Sequence, residues 1–184
     1  MKRFLILGLV ALLSGCQGWQ HVKNESQTEI TTSSYSVSVP KGWVKHVFNN
    51  QTTLSKDGVA VNLIIISRLD HDDAFKTIKK QSSVSLLPEE LGNLFYSNIR
   101  SEYETAGLKV NLESNKPVII DGRDGFHIHM RAIGDKGLRI GIDVKGVATD
   151  KGLYFLQYQA PILVYYSRSI NDFNQIVNSM RLKG

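Results

Sequence analysis

The sequence predicts an α+β fold, an αβα sandwich in which a mainly antiparallel β-sheet is covered by helices on both faces. Three observations carry this. Like elements come in groups, strands then helices then strands then one helix, instead of the strict alternation of βαβ units. The second half is a series of strands joined by short Asp/Gly turns, the mark of antiparallel hairpins. The segment Val59–Ser67 is apolar on both of its faces, so each face of its sheet needs a covering layer.

Ahead of the domain, residues 1–15 differ in kind from the rest. Lys2 and Arg3 give a positive start, the run Phe4–Leu13 is almost wholly apolar, and Leu13-Ser14-Gly15-Cys16 follows. This reads as a signal peptide, too short to span a bilayer core that needs about 20 helical residues. Small residues before a lone cysteine resemble the lipobox that prolipoprotein signal peptidase reads. The resemblance implies cleavage before Cys16 and a covalent lipid on it, palmitate among its acyl chains; no other cofactor is implied. Gln17 is not the aspartate that resembles an inner-membrane retention signal, so the periplasmic side of the outer membrane is favoured over the inner membrane. The alternative is an ordinary secretory signal followed by a buried thiol.

Cys16 is the single cysteine of the 184 residues. No intramolecular disulfide can form, and the domain must be stable through packing alone. The formal charge of +5 falls with the loss of Lys2 and Arg3, and no dense Lys/Arg block remains. An exported chain of that kind does not point to nucleic acid.

Residues 16–34 are mainly polar and end in Thr31, Thr32, Ser33 and Ser34. They are expected to be a flexible tether reaching about 3.3 Å per residue, enough to hold the domain clear of the headgroups. A single domain over 35–184 follows. Tyr35, Val37 and Val39 alternate with serines up to Pro40-Lys41-Gly42, a strand and a turn. Trp43–Phe48 and Thr52–Lys56 read as short strands, with a hairpin signal at Lys56-Asp57-Gly58 before Val59–Ser67. Asp70, Asp72 and Asp73 ahead of Ala74, Phe75 and Ile78, with Lys79 and Lys80 behind, predict a short helix whose aspartates cap its start. A second helix starts at Pro88 with Glu89 and Glu90 in its first turn; Leu91, Leu94, Phe95, Ile99 and Tyr103 form its apolar stripe and Gly107 ends it. Strands are predicted at Leu108–Ile120, Phe126–Ile133, Leu138–Ala148 and Leu153–Ala160, the last three as a meander. Ile170, Phe173, Ile176, Val177 and Met180 mark one face of a closing helix.

Tyr35–Trp43 (YSVSVPKGW), the apolar Val59–Ser67, and Leu153–Pro161 (LYFLQYQAP) through Phe173–Met180 (FNQIVNSM) together resemble the PsbP-like superfamily. That superfamily includes the photosystem II extrinsic subunit and DcrB-type bacterial envelope lipoproteins. The likeness spans about Tyr35 to Leu182 and lies in apolar pattern and turn placement. It implies the αβα sandwich and a noncatalytic accessory or assembly role.

Chemistry has few places to sit. A strand's two-residue period puts His127, His129 and Arg131 on one face of Phe126–Ile133, and the neighbouring strand offers Arg139, Asp143 and Lys145. His127, His129 and Asp143 are thus candidate metal or small-ligand residues, although a site needs three or four ligands and two arginines crowd this one. The alternative is a polar sheet face. Asp70-His71-Asp72-Asp73 and Asp121-Gly122-Arg123-Asp124-Gly125 read as a helix start and a turn. Tyr154, Tyr158, Tyr165 and Tyr166 cluster around Pro161, either lining a groove for a partner or sealing the sandwich beneath the last helix. There is no Gly-x-Ser-x-Gly elbow, no His-Glu-x-x-His and no free thiol once Cys16 is acylated, so an enzyme is not expected. The sequence favours a noncatalytic, membrane-tethered periplasmic domain that binds another envelope protein. A metal- or ligand-binding module at His127 and His129 is the rival.

Overall fold

The computed structural model describes residues 19–21, 27–48 and 51–183. The expected signal peptide and lipobox, Cys16 included, lie outside the described residues. Among the described residues, eleven strands and two α-helices follow one another as β1 (Gln20–His21), β2 (Gln27–Thr31), β3 (Tyr35–Pro40), β4 (Val44–Phe48), β5 (Gln51–Ser55), β6 (Leu63–Leu69), α1 (Pro88–Thr105), β7 (Lys109–Ile120), β8 (Arg123–Ile133), β9 (Arg139–Thr149), β10 (Gly152–Pro161), α2 (Ser167–Ser179) and β11 (Arg181–Leu182). The main sheet has eight strands in the order β1-β4-β5-β6-β10-β9-β8-β7, and every pairing in it is antiparallel. A second, three-stranded sheet orders β11-β3-β2.

The main sheet buries both faces, as the doubly apolar segment requires. On one side Ile64, Ile66, Tyr154, Leu156 and Tyr158 meet the small sheet and Phe173, Ile176 and Met180 of the α2 end. On the other, Phe126, Ile128, Met130 and Phe155 meet Leu91, Phe95 and Ile99 of α1. Pro88 opens α1, and Glu90 reaches back to accept the Leu87 N–H at 2.9 Å, satisfying one of the free donors at the helix start. The two layers are pinned by polar contacts through otherwise apolar packing. Tyr35 donates its hydroxyl to Thr52 Oγ1 at 2.7 Å, and burial pushes its pKa up to about 12 despite that bond. Trp43 donates its indole N–H to Asp172 Oδ2 at 2.9 Å, fastening the start of β4 to α2.

Four expectations change. The tether does not extend to Ser34: Gln27–Thr31 is a strand paired with β3, with Ile30 opposite Val37 and only 3% exposed. The polar run that follows is its hairpin turn, in which Thr32 Oγ1 accepts the N–H groups of Ser34 and Tyr35. The expected helix at Asp70–Lys80 is two 3₁₀ turns, His71–Asp73 and Lys76–Ile78, with Lys79 left-handed at φ 53°. Asp70 caps nothing because Arg68 holds its carboxylate at 2.6 Å, and the chain bends to drive Phe75 edge-on against Phe95. The strand expected over Val59–Ser67 starts at Leu63, because Asn62 folds back and accepts the N–H groups of Lys56 and Asp57. Beyond Met180 the chain adds β11 to β3 where no further strand was expected.

Candidate functional site

Alternation along β8 decides which side chains meet. Phe126, Ile128 and Met130 turn to the α1 face, so His127, His129 and Arg131 turn to the α2 face. Register places His129 opposite Asp143 and His127 opposite Lys145 on β9. Asp143, whose side chain is 6% exposed, lies between the two imidazoles, 2.7 Å from His127 Nε2 and 3.0 Å from His129 Nδ1. The three residues singled out in the sequence are therefore together.

Two more residues complete the cluster. A register shift between Leu112 and Ser114 on β7 leaves Glu113 to reach across, with Oε2 at 3.0 Å from His129 Nε2 and Oε1 at 2.7 Å from Arg131. Tyr166 ends a π-helical turn, Ile162–Tyr166, that leads into α2, and its hydroxyl donates to Asp143 Oδ2 and lies 3.3 Å from His129 Nδ1. That ring lies against Gly141, where a Cβ would come within 2.6 Å of it. Tyr158 donates its own hydroxyl to the carbonyls of Tyr165 and Tyr166 at 3.1 and 3.0 Å, holding the turn in place. Arg139 stays outside the cluster, and Lys145 donates to Asn174 Oδ1 at 2.9 Å.

The electrostatics follow from this geometry. Burial alone would raise the Asp143 carboxyl, but hydrogen bonds from His127, His129 and Tyr166 and the charge of His129 hold it well below the usual carboxylate range. The hydrogen bond to Asp143 raises His129; burial opposes this, and the charges of Asp143 and Glu113 reinforce it. Burial and the bond to Asp143 keep the Tyr166 phenol protonated, and burial lowers Lys145. Carboxylates face both nitrogens of His129, and they favour its protonated ring.

The cluster is a linked chain of polar contacts, Arg131–Glu113–His129–Asp143–His127, in which the candidate ligands contact one another. Among the described residues no group of three His, Cys, Asp or Glu is arranged to hold a metal ion. The tyrosines do not line an open groove either: Tyr154 and Tyr158 are buried in the core, and Tyr165 and Tyr166 pack against it. A groove of about 460 Å³ lies elsewhere, between the β1–β4 edge and β2, lined by Gln20, Glu29, Ile30, Thr31, Lys45, His46 and Val47. His71, from the acidic cluster, is a clasp: its Nε2 donates to the Thr149 carbonyl at 3.0 Å and its Nδ1 lies 2.7 Å from Ser82 Oγ.

Glu113 and Tyr166 were not assigned to this cluster from sequence. Glu113 depends on a register irregularity, and Tyr166 on how the turn before α2 folds back over β9. The only advance signal was the concentration of tyrosines around Pro161.

Solved structures share this arrangement of strands and helices. CyanoP, the cyanobacterial PsbP of Synechocystis sp. PCC 6803, superimposes with a TM-score of 0.62 over 93% of this chain and 99% of its own, at 12% identity. The fold is PsbP-like. The Ran-binding protein Mog1p of Saccharomyces cerevisiae matches at 0.56 over 85% of this chain and 95% of its own, at 11% identity. A Bacteroides thetaiotaomicron protein matches at 0.50 over 88% of this chain and 50% of its own, also at 11% identity. No family model matches the sequence, and no curated protein matches it. At these identities the PsbP-like likeness is one of fold.

Proposed function

We propose that this PsbP-like domain belongs to a lipoprotein, acylated on Cys16, held on the periplasmic side of the outer membrane, where it acts as a noncatalytic accessory that binds another envelope protein. The observation that carries the reading is the leader itself: Lys2 and Arg3, the apolar Phe4–Leu13, and the small residues Ser14 and Gly15 directly before the only cysteine. Two or more acyl chains on that cysteine would hold the protein at the membrane essentially permanently, each buried methylene contributing about 0.8 kcal/mol. The cluster around Asp143 supports the noncatalytic part, since its acids and bases are spent on one another. Mog1p, described as Ran-binding, is an instance of this fold serving protein recognition.

The test is expression of the full chain with a clickable palmitate analogue, followed by mass spectrometry of the N-terminal peptide. Label on Cys16, membrane flotation of the protein, and release into the soluble fraction on Cys16→Ser support the reading. An unmodified Cys16 in membrane-free protein overturns it. For the partner, crosslinking in intact envelopes should capture the same protein reproducibly, and turnover of a small substrate by the purified protein would remove the noncatalytic part.

A further inference from the structure

β1 runs antiparallel to β4 with Gln20 opposite Lys45 and His21 opposite Val44, so towards its N-terminus the chain heads along β4 in the direction of Phe48. Trp19 is already on that path, its ring 5.7 Å from the ring of His46. Gln17 and Gly18 alone separate Trp19 from Cys16, and from Cys16 to Trp19 is no more than about 11 Å of extended chain. The anchor point is therefore confined to this corner of the sheet, instead of swinging on a leash that reaches to Ser34.

The corner itself is apolar and open. Phe48 is 63% exposed and Trp19 45%, while Val47, also exposed, points to the opposite face of β4. The register Phe48–Gln51–Ser67–Phe155 puts Phe48 on the face that carries α1. Yet α1 packs on β7 and β8 at the far side of the sheet, leaving Trp19, His46, Phe48 and Thr53 half-buried or exposed. Among the described residues, Trp19 and Phe48 take no part in the groove that holds Glu29, whereas His46 borders it together with Lys45 and Val47. Exposed aromatic rings suit the interfacial layer of a bilayer, where tryptophan and its neighbours settle at headgroup level.

We propose that the corner formed by Trp19, His46 and Phe48 is a membrane seat, inserting into the phospholipid interface to which Cys16 is anchored. The inference rests on the acylation of Cys16 proposed above. It fixes orientation: the β4–β5 end of the sheet faces lipid, while the turn before α2, with Leu163 95% exposed at the end of β10 remote from Gly152 and Leu69, faces the periplasm.

The experiment uses the lipidated protein in phosphatidylethanolamine/phosphatidylglycerol vesicles whose acyl chains carry bromine, a contact quencher of tryptophan. A Trp19→Phe/Phe48→Trp variant moves the reporter away from the residues nearest the lipid; Trp43 is fully buried and serves as the unquenched internal signal. A Trp19→Phe/Leu163→Trp variant reports the opposite end, and circular dichroism confirms that both fold. The seat predicts that the reporter at 48 loses most of its emission and shifts to the blue, while the reporter at 163 stays bright. Equal behaviour at the two positions, with Cys16 lipidated and the protein floating with the vesicles, overturns the seat and leaves the lipoprotein reading standing. Absence of lipid on Cys16 overturns both. A reporter at 48 that stays bright on vesicles while position 48 crosslinks to protein in whole envelopes gives the corner to a protein partner and also overturns the seat.

Discussion

Tyr166 donates its hydroxyl to Asp143, and this bond ties the turn ahead of α2 to the middle of the main sheet. Asp143 lies within hydrogen-bond distance of two histidines as well, its own side chain almost out of solvent while theirs stay partly exposed. Removing the phenol oxygen takes away one of three donors and leaves the carboxylate charged. Tyr166→Phe should destabilise the domain by about 1–3 kcal/mol, the cost of losing a hydrogen bond to a buried charged group. Asp143→Ala should cost more, because His127 and His129 lose their shared acceptor together. Urea denaturation of both variants reads this, and a Tyr166→Phe variant as stable as the parent would show that the bond is not maintained in solution.

The same cluster sets a pH dependence. His129 is raised above its ordinary 6.5, so its contribution is fully present below that value and is lost as pH rises through the folded-state pKa. Asp143 is depressed below its ordinary 3.8, so its contribution is present above that value and is lost as pH falls through its lower folded-state pKa. Stability should therefore decline as pH rises above 6.5 through the raised His129 pKa, as well as in strong acid. His129→Gln should flatten the upper decline and leave the acid limb in place. Thermal midpoints measured across pH check this; an unchanged upper limb in the variant assigns the decline to another group.

Gly141 is the position that lets Tyr166 lie down. Its neighbour across β8 is Arg131, and a methyl group at 141 would meet the Tyr166 ring at 2.6 Å, too close for any rotamer change at the alanine to relieve. The turn must lift, so Gly141→Ala should cost about 1–3 kcal/mol by overpacking. It should also weaken the near-ultraviolet dichroism of the stacked Tyr158, Tyr166 and Phe173 rings, whose neighbouring centroids lie 5.5 and 5.7 Å apart. Retention of that signal at parental stability would contradict the packing described.

How much of this was legible in the sequence depends on whether the signal was local. The stripe Leu91–Phe95–Ile99 and the turns after Ile120 and Thr149 specify α1 and the antiparallel strands, because periodicity and turn residues act over a few positions. The Asp70–Lys80 segment misled because its charges suit a helix while Phe75 is claimed by the core, with Ile78 packed against it. In the site, the His127–His129–Asp143 meeting followed from strand period and pairing. Glu113 did not, because a bulge moves it out of the alternation that sequence reading assumes.

The strand β2 was the least legible element and gives the sharpest test. A stretch with one buried apolar side chain looks like a leash, yet Ile30 packs in the core beside Val37 and its backbone is paired with β3 from Gln27 to Thr31. A leash residue can be truncated without cost, whereas a core isoleucine cannot: Ile30→Ala should destabilise the domain by about 2–4 kcal/mol through lost burial and the cavity left behind. Limited proteolysis adds a second reading, since a flexible segment is cut readily and a paired strand is not. If Ile30→Ala is neutral and cleavage occurs between Gln27 and Ser34, β2 is not docked, the chain beyond Cys16 regains its reach, and the domain is free to stand off from the bilayer.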